Sequence, residues 1–295
     1  MTNDRPMFGI ATALTKNTLS PAILGPWLET HGFESIWFGE HSHIPVELKS
    51  QRKNYKEVPE AFKELYDPLM ALMGIAAVTK TLKLGTSVLI LPEHHPIRLA
   101  KMISTLDQVS GGRVTIGVGG GWSAEEMGDY GVEFKDRWKV VRETVLAMRQ
   151  IWGNEIAEFH GELINFLPMW SGPKPINGAR LPIVIGAAST FAFPRIAEFG
   201  NGWVPVDQGD AMAGLMNDLR AYMETTDRSF DELSHSIITH PLTAVYNGDG
   251  DALKRRIDEL YAIGFRRMLL TLPSETPDLQ WKTLEGLHKI VEAYA

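Results

Sequence analysis

Four short stretches gather the side chains that could do chemistry in this chain. Glu40-His41-Ser42-His43 and Glu93-His94-His95 put imidazoles beside carboxyls, the pairing that general acid–base work near neutral pH requires. Gly119-Gly120-Gly121-Trp122-Ser123 and Gly186-Ala187-Ala188-Ser189 are made of small residues, so backbone N–H groups there can come close to an anion. Together they suit a planar or phosphorylated ligand with a proton-transfer group beside it. His41 is the candidate for that group, with Glu40 placed to orient it or to hold a neighbouring helix, and Arg137 could supply a fixed positive charge. His94, Tyr66 and Trp170 are candidates for a largely apolar, aromatic substrate pocket, to which Trp122 and Met169 would add.

Each of these has a plainer reading. A lone histidine more often satisfies a buried hydrogen bond, glycines at a tight strand–helix turn often bind nothing, and a helix-start arginine is often simply solvated. Gly119-x-Gly121-x-x-Ala124 imitates a dinucleotide fingerprint, but the acid expected about 20 residues on would fall inside a helix.

The elements that must position these residues alternate along the whole chain. Residues 82–91 read as a buried strand. Pro96 opens an amphipathic helix carrying Ile97, Leu99, Met102, Ile103, Leu106 and Val109, and Gly111-Gly112 ends it before a strand over 113–118. Further strands are expected over 7–13, 35–38, 182–187, 202–206, 237–245 and 267–272. Helices are expected over 22–31, from Asp67-Pro68, and over 137–152, 192–199, 212–224, 251–264 and 279–294. Eight βα repeats indicate an α/β fold, a (β/α)8 TIM barrel formed by residues 1–295 as a single domain. Two excursions interrupt the rhythm: a polar segment over 43–66 after strand two, and a Pro- and Gly-rich one over 153–181 before strand five that could carry a hairpin. In such barrels the site lies at the C-terminal ends of the strands, where the four stretches fall.

A net charge of −7 leaves no basic stripe for nucleic acid, and zero cysteines exclude disulfides, thiolate nucleophiles and zinc–thiolate sites. No basic n-region precedes an apolar run at the start, and no apolar stretch reaches the length of a membrane span. The expectation is a cytoplasmic enzyme acting on a small molecule, with neither nucleic acid nor membrane as partner.

These residues resemble the bacterial-luciferase-like superfamily of flavin- and deazaflavin-dependent oxidoreductases. The matching positions are Glu40-His41, Gly85-Thr86-Ser87-Val88, Leu91-Pro92, His95-Pro96, Ala100, Leu106-Asp107, Gly112-Arg113, Gly117–Trp122, Arg137, Pro182–Ser189 and Gly200-Asn201-Gly202-Trp203. The resemblance implies a luciferase-like barrel with a flavin-like ring in its mouth and His41 acting at that ring. It also implies a cis peptide at Ser87–Val88 behind the ring, with the phosphate held by Arg137 and by Ser189 of the Gly186–Ser189 loop. Glu125-Glu126, the Gly-Asn-Gly-Trp turn and the chain length are most similar to the branch that uses coenzyme F420; FMN with oxygen insertion is the alternative. The sugar-phosphate dehydrogenases of that branch have a catalytic glutamate where this chain has Trp122, and a tryptophan where it has Pro45, which implies another substrate here. Early-helix pairing in the superfamily implies a homodimer, with residues 69–78 as the face. Two readings of other classes stand beside this one. A metal-dependent barrel hydrolase would use His41 and His43 with Asp207, and a ligand-binding barrel would have no turnover.

Overall fold

The structure, a computed structural model, describes residues 5–50, 57–239 and 250–295. Among the described residues, nine strands form one parallel sheet: β1 (Met7–Thr12), β2 (Ser35–Phe38), β3 (Lys83–Thr86), β4 (Leu89–Ile90), β5 (Val114–Gly119), β8 (Ile183–Ile185), β9 (Gly202–Trp203), β10 (Ser234–Thr239) and β11 (Arg267–Thr271). Strand β3 pairs with β2 and β5, while β4 continues along β5, so the two are halves of one interrupted strand and the sheet closes into an eight-stranded barrel. An antiparallel hairpin of β6 (Ile156–His160) and β7 (Asn165–Trp170) stands outside it, within the excursion expected before strand five.

Helices α1 (Pro21–Thr30), α2 (Pro68–Val78), α3 (Pro96–Ser110), α4 (Ala124–Asp129), α5 (Arg137–Gly153), α6 (Phe193–Glu198), α7 (Ala211–Met223), α8 (Gly250–Ile263) and α9 (Pro277–Glu292) alternate with the strands. Their starts follow local rules. The Asp67 side chain accepts the Met70 N–H at 2.8 Å with Pro68 in the first turn, and Thr276 does the same for Leu279 ahead of Pro277. Gly111, at φ 72°, ends α3 in the left-handed conformation that glycine adopts without strain. At the end of the barrel away from the site, Arg267 grips Glu34 with two 2.8 Å bonds and Lys83 adds a third contact, also at 2.8 Å. Among the described residues, no helix is long and apolar enough to cross a membrane.

Three sequence expectations need correction. The run over 82–91 is broken at Ser87–Val88, whose peptide bond is cis, as the resemblance implied. Strand six is only two residues long because Pro205, with no N–H to give, interrupts the ladder; one bridge resumes it at Val206 and Ile238. Strand seven starts at Ser234, and residues 240–245 of the expected run lie outside the described residues. Helix α4 was not expected at all.

The broken strand is possible because its neighbours are small. A Cβ on Gly117 would overlap the Thr86 carbonyl oxygen, and one on Gly85 would overlap the Trp37 ring. Thr86 in turn donates its hydroxyl to the Gly117 carbonyl at 2.8 Å. Gly117→Ala should therefore lower stability by about 1–3 kcal/mol through overpacking against backbone. Urea unfolding checks this, and a variant as stable as the parent would show that the Thr86 carbonyl is free to move aside.

Candidate active site

His41 follows β2 and is 9% exposed. Its Nδ1 lies 2.9 and 3.1 Å from the Glu126 carboxylate oxygens, and the Trp122 indole N–H points at Nε2 from 3.2 Å. An indole only donates, so Nε2 is the acceptor and the ring proton sits on Nδ1, donated to Glu126. The imidazole is thereby held as one neutral tautomer. Phe62 stacks on it at 4.9 Å, and the Trp122 ring stands edge-on at 5.6 Å.

Glu126 arrives there through the first turn of α4. The Ser123 hydroxyl oxygen caps this helix by accepting the Glu126 N–H at 3.1 Å. Ser-x-x-Glu is the pattern of a capping box, in which the glutamate reaches back to the cap residue. Here its carboxylate, 1% exposed, turns to His41 instead. Glu125, one residue earlier, accepts the N–H groups of Lys49 and Ser50 at 2.9 and 3.1 Å, while the Ser50 hydroxyl accepts the Ala124 N–H at 3.0 Å. Burial opposes ionisation of Glu125, but the hydrogen bonds from Ser50 and Lys49 outweigh it and hold the carboxyl at about 2. The segment after β2 is thus fastened to α4.

Glu40 does not orient His41. It accepts the Ile90 N–H at 2.6 Å and meets His94 Nε2 at 2.9 and 3.0 Å. Burial works against a charge on His94, yet Glu40 raises the imidazole above its ordinary value. Glu93 is left with both carboxyl oxygens buried and unpartnered. Burial, then the charges of Glu126 and Glu40, push it up to about 8.

Over His41 opens a cavity of about 320 Å³. Ala11, Phe62, Leu65, Val206, Ile238 and Leu272 supply apolar lining, Ser87, Val88, Gly121 and Trp122 line it as well, and Glu40, His41 and Glu275 are its ionisable groups. No lysine or arginine lines it among the described residues. The Thr271 hydroxyl, on the same lining, is buried without a partner.

Other expected residues gather elsewhere. Gly119, Gly120 and Gly186–Ser189 lie beyond Val88, at the ends of β5 and β8. A Cβ on Gly119 would stand 2.7 Å from Val88 Cγ2 and 3.8 Å from the Gly186 carbonyl oxygen, and one on Gly120 would stand 3.3 Å from Arg137 Cγ. Arg137 lies over the Phe134 ring at 3.7 Å and donates to the Phe134 carbonyl at 2.6 Å, but its Nε is buried without a partner. Arg195, missed in the sequence, lies over Trp138 at 4.1 Å; burial first, then the charge of Arg137, lowers its pKa. Neither guanidinium is paired with a carboxylate among the described residues. An anion placed there would satisfy the orphaned Nε, so this rim fits a phosphorylated tail.

Tyr66, Trp170 and His94 do not line the cavity. Tyr66 is exposed and bonded through its N–H to the Leu14 carbonyl, and Phe62 and Leu65 take its expected place. Trp170 pairs with Ile156 on the hairpin and is 77% exposed. His43 turns to Asp129 at 2.9 Å, and among the described residues no three carboxyl or imidazole groups converge to hold a metal. The signal for Glu126 was present in the Ser123-x-x-Glu126 pattern, though that pattern does not point to His41.

Trp122→Phe keeps an aromatic wall but removes the donor to Nε2. In ¹⁵N spectra of labelled histidine, His41 Nε2 should lose its hydrogen-bonded shift while Nδ1–H persists, and Glu126→Leu should abolish the Nδ1–H preference. Dominance of the Nε2–H tautomer in the parent protein would overturn this assignment.

Comparison with known proteins places the geometry in context. The luciferase-like monooxygenase family model matches residues 27–280. An uncharacterised protein of Mycobacterium tuberculosis is 36% identical over 221 residues, which is 72% of this chain and 78% of that one. An F420-dependent glucose-6-phosphate dehydrogenase of Nakamurella multipartita is 29% identical over 212 residues, 70% of this chain and 58% of that enzyme. The crystal structure of monooxygenase RslO1 from Streptomyces bottropensis superposes with a TM-score of 0.77 at 17% identity, covering 98% of this chain and 100% of that one, a likeness of fold.

Proposed function

The chain belongs to the luciferase-like monooxygenase family, and on that premise we propose that it is an oxidoreductase passing a hydride between coenzyme F420 and a small, largely apolar organic molecule. The observation that carries the reading is the juxtaposition of two unlike surfaces. One is the cavity over His41, uncharged on most of its walls; the other is the rim beyond Val88 with two guanidiniums and an orphaned donor. A ring-and-phosphate cofactor would match both at once.

In this reading Arg137, Arg195 and the loop Gly186–Ser189 hold the phosphorylated tail. Ser87, Val88, Gly121 and Trp122 back the ring, and Phe62 and Leu65 keep water from the far side. The cofactor supplies hydride chemistry, and the protein supplies position and protonation. His41 is the residue that takes or returns a proton at Nε2, the atom facing Trp122, while Glu126 steadies the Nδ1–H on the opposite side. Since Trp122 occupies that lone pair, proton uptake requires the indole N–H to move off it. The absence of cationic residues from the lining, among the described residues, favours a neutral substrate over an anionic one. Reduced FMN with oxygen insertion is the second reading, favoured by the family's description as monooxygenases. The proposal extends to a homodimer through α2, whose Met70 is 55% exposed, and light scattering checks that.

Fluorescence titration with F420 and, separately, FMN decides between cofactors: F420 should bind more tightly. Arg137→Ala should weaken F420 binding by about 10- to 100-fold, the worth of one charge-assisted contact. The phosphate-free deazaflavin chromophore should bind parent and variant alike. Binding of neither cofactor would sink the assignment.

A further inference from the structure

The side of the cavity formed by residues 11–13 and 271–275 has no part in the chemistry proposed above. These residues end β1 and β11, neighbouring strands paired in parallel. With β3 and β4 counted as one strand, β11 lies four strands from β5 in either direction round the barrel. This side therefore faces Gly121 and Trp122, which follow β5, across the mouth. The ladder bond nearest the cavity runs from the Leu272 N–H to the Ala11 carbonyl at 3.1 Å. Pro273 comes next and has no N–H with which to continue it. From there to Glu275 the chain lines the cavity outside any strand, and α9 begins only at Pro277.

One side chain bridges that gap. Gln280, in the first turn of α9, is fully buried. Its Nε2 donates to the Pro273 carbonyl at 2.8 Å, and its Oε1 accepts the Leu19 N–H at 2.7 Å. Leu19 belongs to the connection between β1 and α1, where the Thr18 hydroxyl accepts the Thr15 N–H at 3.0 Å and donates to the Thr15 carbonyl at 2.8 Å. Among the described residues, no other hydrogen bond from the rest of the chain reaches residues 273–275. The amide has one workable orientation, because a carbonyl only accepts and an N–H only donates. A carboxylate in its place would set oxygen against the Pro273 carbonyl oxygen. An apolar side chain would leave a buried donor and a buried acceptor without partners.

We propose that Gln280 is a positioning residue for the cavity: by tying the connection after β1 to the one after β11, it fixes the wall opposite Trp122. The gap between that wall and Trp122 must hold the cofactor ring and the small organic molecule together, so its width sets the fit of both. Gln280 does not itself line the cavity and acts through Pro273, which does. This use of the wall rests on the oxidoreductase reading, whereas the bridge belongs to the resting protein.

The test compares Gln280→Leu, which removes both bonds, with Gln280→Glu. Burial favours the neutral form of the new carboxyl, which at about pH 5.5 would donate to Pro273 and accept from Leu19 as the amide does. The probe is the phosphate-free deazaflavin chromophore, followed by fluorescence, with each variant compared to the parent at the same pH. Gln280→Leu should bind it about 10-fold more weakly at every pH. Gln280→Glu should match the parent at about pH 5.5 and fall about 10-fold below it at about pH 9. Parent-like binding by Gln280→Leu would overturn the proposal, as would a Gln280→Glu deficit that ignores pH. If Gln280→Leu fails to fold, the pH dependence of Gln280→Glu still decides. A parent protein that binds no chromophore would sink the cofactor reading instead. The bridge would then be read from Leu19 amide exchange, which should be slow in the parent and at least about 10-fold faster in Gln280→Glu at pH 9 than at pH 5.5, after correction for the parent's own change. Fast exchange of that amide in the parent would overturn the bridge.

Discussion

An imidazole buried at the mouth of a barrel must have both nitrogens satisfied, and the arrangement of this site follows from that requirement. Leaving one unpaired would cost about 1–3 kcal/mol. His41 meets it with Trp122 on one side and Glu126 on the other, both carried by the chain just after β5. Strand β5 does not adjoin β2; the interrupted strand of β3 and β4 runs between them. The two hydrogen bonds therefore span the place where that strand breaks, and Val88, set between Gly119 and Gly186, fills the space beside the break. Glycine at these positions is a packing requirement before it is a ligand-binding one.

The site separates two kinds of charge by distance along the rim. Acids and imidazoles collect behind β2, β4 and α4, where their charges are confined to pairs such as Glu40–His94. Arg137 and Arg195 lie beyond β5 and β8, neither paired with an acid among the described residues. Between the two lies the mostly uncharged cavity. A ligand bearing its negative charge at one end and its reactive face at the other is the shape this division accepts in a single orientation.

The barrel was legible because parallel strands buried on both faces appear as apolar runs, and helix starts carry Asp, Thr or Pro at fixed offsets. His41 was legible because it ends such a strand. Its partner was not: Glu40, beside His41 in sequence, is taken up by His94 and the Ile90 N–H. Glu126 carried a helix-start pattern that says nothing about which distant ring its carboxylate will meet. Tyr66 and Trp170 failed as pocket residues because rotation within an irregular segment or a hairpin has no period to read. Phe62 and Leu65, in the same segment as Tyr66, came to the cavity instead. Arg195 reads in sequence like any helix arginine; only its approach to Trp138 and Arg137 sets it apart.

Helix α4 is only six residues long, and two adjacent glutamates in its first turn face different tasks. Glu125 grips the backbone of Lys49 and Ser50, while Glu126 grips His41. A shift of α4 would be felt at the Lys49–Ser50 backbone and, one peptide further on, at His41. The seating of one short helix thus reaches the hydrogen bonding of that buried ring.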